Sequence, residues 1–189
     1  MNIAPVFSIL GVLLTILSAT MLIPMLVDIS LGYQNWFGFA SAALISCFVG
    51  ISLWLTNRSK QELNLGLKEA FLLTNSAWVL SGIFGALPFL FSDLGLSFTD
   101  ALFESISGIT TTGSTILTTI ELASPGIILW RALLQWLGGI GIIVMALAIL
   151  PILSIGGMQL FKTETYEASD NAIPRARQLA GGIFGVYAS

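Results

Sequence analysis

The chain has 189 residues, 56% of them hydrophobic and 9% charged, with a net charge of −3 and a mean hydropathy of +0.93. Soluble domains carry about 25% charged residues, so this composition cannot cover a water-facing surface and defines an integral membrane protein. Seven Lys plus Arg exclude a nucleic-acid footprint, and one cysteine with no histidine excludes an intrachain disulfide and Cys/His zinc sites.

A membrane-spanning helix needs about 20 apolar residues. Ala4 to Val27 supplies the first span, and no Lys or Arg precedes it, so it does not read as a cleaved signal peptide. Trp36 to Thr56 supplies the second span. It carries Gly38, Ala42, Ser46 and Gly50 on one helical face, where another helix can approach closely. Cys47 in the same span reads as a small packing residue. Ala70 to Phe91 is the third span, with Gly82, Gly85 and Pro88 marking a bend or a close contact near its end. Ile127 to Leu150 is the fourth, and Leu179 to Ala188 begins a fifth that stops after two to three turns. The sequence therefore reads as a fragment of a longer protein or a truncated reading frame. The five tryptophans, Trp36, Trp54, Trp78, Trp130 and Trp136, fall for the most part near span ends, as in an aromatic belt.

Basic residues set the orientation. Arg58, Lys60 and Lys68 lie between spans two and three, and Lys162, Arg175 and Arg177 between spans four and five. The other two loops have none, so the N-terminus is expected on the cytoplasmic side and residues 92–126 on the outer side.

That outer segment is not a simple polar loop. Phe98, Leu102, Ile106 and Ile109 form one apolar helical stripe, Ser97 with Asp100 fits a capping-box start, and Gly108 is a plausible stop. A helix over 98–108 is roughly 16 Å long at 1.5 Å per residue, half of a bilayer. It runs into Thr110-Thr111-Thr112-Gly113-Ser114, a hydroxyl-rich run between two full spans. Irregular backbone at membrane depth survives only inside protein or beside water, so this is the layout of a re-entrant pore loop. The helix would enter from outside and aim its partially negative C-terminal end at mid-membrane, which favours a cation. Gly113 permits backbone angles closed to other residues, and carbonyl oxygens turned to an axis can replace an ion's hydration shell. Asp93, Asp100, Glu104 and Glu121 make the outer region acidic, which would concentrate cations.

Arg131 lies one turn before Gln135. It has two readings, pairing with Glu104 behind the filter or snorkelling to the headgroups. Gly138, Gly139 and Gly141 are expected to permit close approach of the pore helix or a neighbouring span. No His, no clustered acid pair and no Ser/base set is available for catalysis, and the dinucleotide pattern GxGxxG does not occur.

The runs "DALFESISGITTTGST" and "WRALLQWLGGIGIIVMALAILPILSIGGMQLFKTE" resemble the N-terminal part of the Trk/Ktr/HKT superfamily of potassium transporters, its TrkH/TrkG branch, and the resemblance covers essentially the whole chain. It implies an all-α integral membrane fold of four non-identical helix–pore loop–helix repeats around one pore, preceded by two accessory transmembrane helices. Residues 1–57 then match the accessory helices, 58–69 a cytoplasmic loop, 70–153 the first repeat with pore helix 98–108 and filter 110–114, 154–178 a second cytoplasmic loop, and 179–189 the start of the second repeat. The resemblance places K+ coordination on Thr110, Thr111, Thr112 and Gly113, with Thr111 and Thr112 as the main ion contacts. Glu104, Arg131, Gly139 and Gly141 are the expected supports of that filter.

It also implies inner-membrane location, a homodimer, a cytosolic nucleotide-binding regulator of the TrkA type, and no organic cofactor beside the transported K+. Passage would be channel-like or coupled to another ion as symport. One TTTG run cannot surround an ion, so the remaining three repeats are required partners. Two other readings stand beside this one: a non-conducting membrane fragment or assembly subunit, and a secondary carrier whose broken helix binds substrate at mid-membrane.

Overall fold

In the computed structural model, residues 3–58, 66–118, 120 and 123–158 are described. They form helices α1 (Ala4–Thr20), α2 (Leu22–Leu31), α3 (Trp36–Asn57), α4 (Leu67–Leu90), α5 (Phe98–Ile109) and α6 (Pro125–Met158), and no strand is found among them. Among the described residues, four stretches are long and apolar enough to cross a membrane: Ala4–Leu31, Trp36–Asn57, Lys68–Leu90 and Pro125–Ile142. The chain divides into two compact units, Met1–Gly138 and Gly139–Ser189. The fifth span expected from Leu179, and the loop carrying Lys162, Arg175 and Arg177, lie outside the described residues, as does Lys60.

The first apolar run extends to Leu31 and is jointed at Met21. Pro24 has no N–H to give the carbonyl of Thr20 four residues earlier, and its ring crowds that same carbonyl. Met21 keeps right-handed angles of φ −65 and ψ −21, so the joint is a proline irregularity in one continuous rod. Gly32, at φ 77, ends α2 in the left-handed conformation.

Helix α3 packs through the small-residue face foreseen in its sequence: Gly38, Ala42, Ser46 and Gly50 are all buried, while Leu44 and Phe48 on other faces are 72% and 75% exposed. In a lipid environment apolar bulk gains nothing by turning inward, and backbone proximity decides which face packs. A Cβ on Gly50 would lie 2.7 Å from Thr15 Oγ1 and 2.8 Å from the Gly11 carbonyl oxygen, so α1 and α3 cross nearly backbone to backbone. Gly38 admits the Phe91 carbonyl oxygen at the end of α4 in the same way, at 2.9 Å.

The core of the first unit gathers Leu14, Leu17 and Met21 from the first span, Phe39 from α3, Phe89 from α4, and Ile127, Trp130 and Leu134 from α6. Trp130 and Phe39 meet edge to face at 6.4 Å between centroids. The Trp130 indole N–H also donates to the Gly85 carbonyl oxygen of α4 at 3.0 Å, which satisfies its polar end inside the packing.

Candidate functional site: a half-membrane helix and its exposed strand

Helix α5 has 12 residues, about 18 Å at 1.5 Å per residue, and sits between two membrane-length helices. Its start follows the capping pattern of the sequence: Ser97 Oγ accepts from the Asp100 backbone N–H at 3.2 Å and donates to Asp100 Oδ2 at 2.7 Å.

Its end differs from expectation. Gly108 does not stop the helix, which runs on to Ile109. Gly108 is instead a contact point: a Cβ there would lie 3.0 Å from Leu134 Cβ on α6. The stop is made by Thr111 at φ 59, a left-handed threonine. The Thr112 N–H reaches back to the Ser107 carbonyl at 3.0 Å and the Thr111 N–H to the Gly108 carbonyl at 2.9 Å. That is a Schellman ending with threonine in the position glycine usually takes. Gly113, at φ 77, turns the chain again, and its N–H also donates to the Ser107 carbonyl at 3.2 Å. Ser107 Oγ donates to the Ser114 carbonyl at 2.6 Å, so one serine anchors both ends of the turn. Sequence reasoning missed Ser107; its partner Ser114 lies beyond the end of α5, and the bond between them depends on the turn that follows the helix.

Residues Thr110 to Ile116 are exposed. Thr110 Oγ1 donates to the Ile106 carbonyl at 2.7 Å and lies 2.9 Å from Thr112 Oγ1. Among the described residues, no hydrogen bond is donated to the carbonyl oxygens of Thr110, Thr111, Thr112 or Gly113. Four consecutive free acceptors on exposed, non-helical backbone require solvent, an ion or further protein to satisfy them.

Behind the strand stands Glu104, fully buried. Its Oε1 accepts from Thr115 Oγ1 at 2.6 Å and from the Ile116 N–H at 2.7 Å. Its Oε2 lies 2.9 Å from Arg131 Nε, which resolves the open reading of Arg131 in favour of pairing. The Nε–H is not aimed along that line, so Oε2 carries no formal hydrogen bond and the contact is held by charge. Glu104 is thus neutralised from behind, Asp100 is tied to Ser97, and Asp93 Oδ1 accepts from Asn35 Nδ2 at 2.7 Å. The acidic outer surface read from sequence is therefore largely committed to structure; Glu121 lies outside the described residues.

The buried face of α5 is Ala101, Glu104, Ser105, Ser107, Gly108 and Ile109. The apolar stripe foreseen there packs only in part: Ile109 is buried and Leu102 lies against the core, while Phe98 is 52% and Ile106 45% exposed. Small residues dictate the choice. A Cβ on Gly85 would lie 2.6 Å from Ser105 Oγ, and one on Gly138 would run into the Ile109 carbonyl oxygen. Of the glycine run in α6, Gly138 takes the close approach to α5. Gly139 and Gly141 belong to the second unit, and a Cβ on Gly141 meets nothing within 4 Å. Gln135 comes up behind Gly113, with Nε2 3.7 Å from a Cβ built there.

A helical membrane protein that carries a half-length helix and a strand of free carbonyls between two spans is the class this fold and site define. The family model described as "TrkH: Cation transport protein" matches residues 37–184. The chain belongs to the TrkH family. It is 42% identical over 97% of its length to the Trk system potassium uptake protein TrkI of Halomonas elongata, and 41% identical over 99% of its length to TrkH of Escherichia coli. A crystal structure of the potassium transporter TrkH from Vibrio parahaemolyticus superposes with a TM-score of 0.83 at 36% identity over 100% of the chain. The chain spans 37%, 39% and 37% of the length of these three proteins, respectively.

Proposed function

We propose that the full-length protein takes up K+ and that this chain supplies the first of four filter segments. The carrying observation is the run of free carbonyls from Thr110 to Gly113 on exposed backbone at the end of a half-membrane helix. In this reading K+ sheds water against those oxygens, chiefly at Thr111 and Thr112, as in other carbonyl-lined filters. The C-terminal end of α5 lends partial negative charge to the same place. Glu104 and Arg131 hold the strand from behind, and Gly138 lets α6 approach the pore helix.

Residues 1–57 act as two accessory helices and α4–α5–α6 as the first helix–pore loop–helix repeat. The remaining three repeats complete the ring and cover the exposed face of α5. The protein sits in the inner membrane with its N-terminus in the cytoplasm, as a homodimer regulated by a TrkA-type nucleotide-binding protein. The potassium uptake named for the relatives supports the choice of ion. Neither a non-conducting subunit nor a broken-helix carrier is favoured: the joint at Met21 keeps helical angles, and the relatives are uptake proteins.

The test is growth of potassium-uptake-deficient cells at low K+. Full-length protein restores growth and Gly113→Asp abolishes it. Rescue that survives Gly113→Asp overturns the filter assignment.

A further inference from the structure

Asp28 ends the first span and is fully buried. A buried carboxylate is costly unless hydrogen-bonded, and its partners are not local. Asp28 Oδ1 accepts from the Gly126 N–H at 2.8 Å and Oδ2 from Ser124 Oγ at 3.0 Å, about a hundred residues away in sequence. Both partners belong to the start of α6.

The first N–H groups of a helix have no partner within it. In α6, Pro125 has no N–H, and the Ile127 and Ile128 N–H groups are met by the Ser124 carbonyl at 3.0 and 3.2 Å. The Gly126 N–H is left over, and Asp28 takes it. Gly126 has to be glycine for this: a Cβ there would lie 2.5 Å from the carboxylate carbon. The negative charge also sits at the positive end of the α6 dipole.

A second polar contact joins the same two regions. The Asn35 side chain, in the turn after α2, bonds Asp93 reciprocally, donating to Oδ1 at 2.7 Å and accepting from the Asp93 N–H at 3.0 Å. Asp93 lies in the turn that leads from α4 into the pore helix. The hairpin of the first two spans therefore grips the backbone on both sides of the pore loop.

From the Asp28 grip the path to the strand is short. Arg131 lies five residues beyond Gly126, about one and a half turns. It pairs with Glu104, and Glu104 holds Thr115 and Ile116. We infer that Asp28 is a positioning residue for the cation filter: by capping α6 from the accessory hairpin, it sets the axial register of Arg131 and through it the filter strand. The inference rests on the proposed filter reading, and assigns the two helices before the first repeat a part in selectivity.

The experiment measures Rb+ and Na+ uptake by the full-length protein in vesicles, normalised to the amount of protein in the membrane. Asp28→Ala lowers the Rb+:Na+ ratio and raises the concentration for half-maximal Rb+ uptake, each by at least about fivefold, the scale of the first of the two buried hydrogen bonds lost. Asp28→Asn, which keeps an acceptor for Gly126, recovers most of the ratio. Ser124→Ala, which removes one of the two bonds and leaves the charge in place, shifts the ratio the same way by less.

An unchanged ratio in Asp28→Ala or, should that variant not reach the membrane, in Ser124→Ala overturns the inference. So does a loss of protein or maximal rate alone, which marks a purely structural role. If the unaltered protein carries no Rb+, or Gly113→Asp leaves uptake intact, the filter reading itself has failed, a result that the Asp28 variants do not produce.

Discussion

At Thr111 and Gly113 the backbone takes φ 59 and φ 77 within three residues, and between them they decide where four carbonyls stand. An L-residue in the left-handed region costs roughly 1–2 kcal/mol, and Thr111 bears that cost where Gly113 does not. Gly113→Ala adds it at a site with room for a methyl group, since the nearest atom lies 3.7 Å away. The expected outcome is a loss of ion selectivity that Gln135→Ala does not repair, because the fault is in the backbone. Restoration by the double variant would show a steric cause instead.

The Glu104–Arg131 pair gives a second residue-scale prediction. Removing one partner of a buried pair costs about 3–5 kcal/mol because the other charge is stranded. Glu104→Gln and Arg131→Gln each abolish most uptake, and the double variant recovers part of it. Losses that simply add would contradict the pairing. The pair was legible as a possibility, because Glu104 and Arg131 lie on two elements expected to be neighbours. Thr111 as the cap was not legible: nothing in a threonine triplet marks which member turns left-handed.

The closest helix crossings are set by small residues, while large apolar side chains fill the core around them, and periodicity alone does not tell the two apart. The face of α3 was readable because glycine, alanine and serine at every fourth position name it directly. On α5 the stripe of Phe98, Leu102, Ile106 and Ile109 is equally regular, yet only Ile109 and Leu102 of it pack inward, and Ser105, Ser107 and Gly108 share the contact face with them. In water the stripe would have been driven inward; beside lipid or further pore repeats it need not be. The consequence is measurable in α6. Gly138→Ala forces a Cβ into the Ile109 carbonyl oxygen, whereas Gly141→Ala meets nothing within 4 Å. Thermal unfolding of the purified full-length protein in detergent should show a clear fall in midpoint for the first and little change for the second. Equal effects would place the close approach elsewhere on the helix. Asp28 lay beyond sequence reasoning for a related reason: its partners at Ser124 and Gly126 are set by the tertiary crossing, which no spacing rule encodes.

Across the whole molecule, the four apolar runs were legible from length and composition, and the half-helix from its cap and its stop short of a span. On the proposed reading, what makes those parts a filter belongs to the full-length protein, since one run of carbonyls cannot enclose an ion. Residues 1–189 placed alone in vesicles should take up no K+, and uptake by that piece would require a self-assembled ring that the repeat reading excludes. The central claim, that Thr110 to Gly113 carries the ion, is tested most directly by Rb+ uptake through the full-length protein with and without Gly113→Asp at equal membrane abundance. The account predicts robust uptake for the unaltered protein and none for the variant. Equal uptake by both would contradict it.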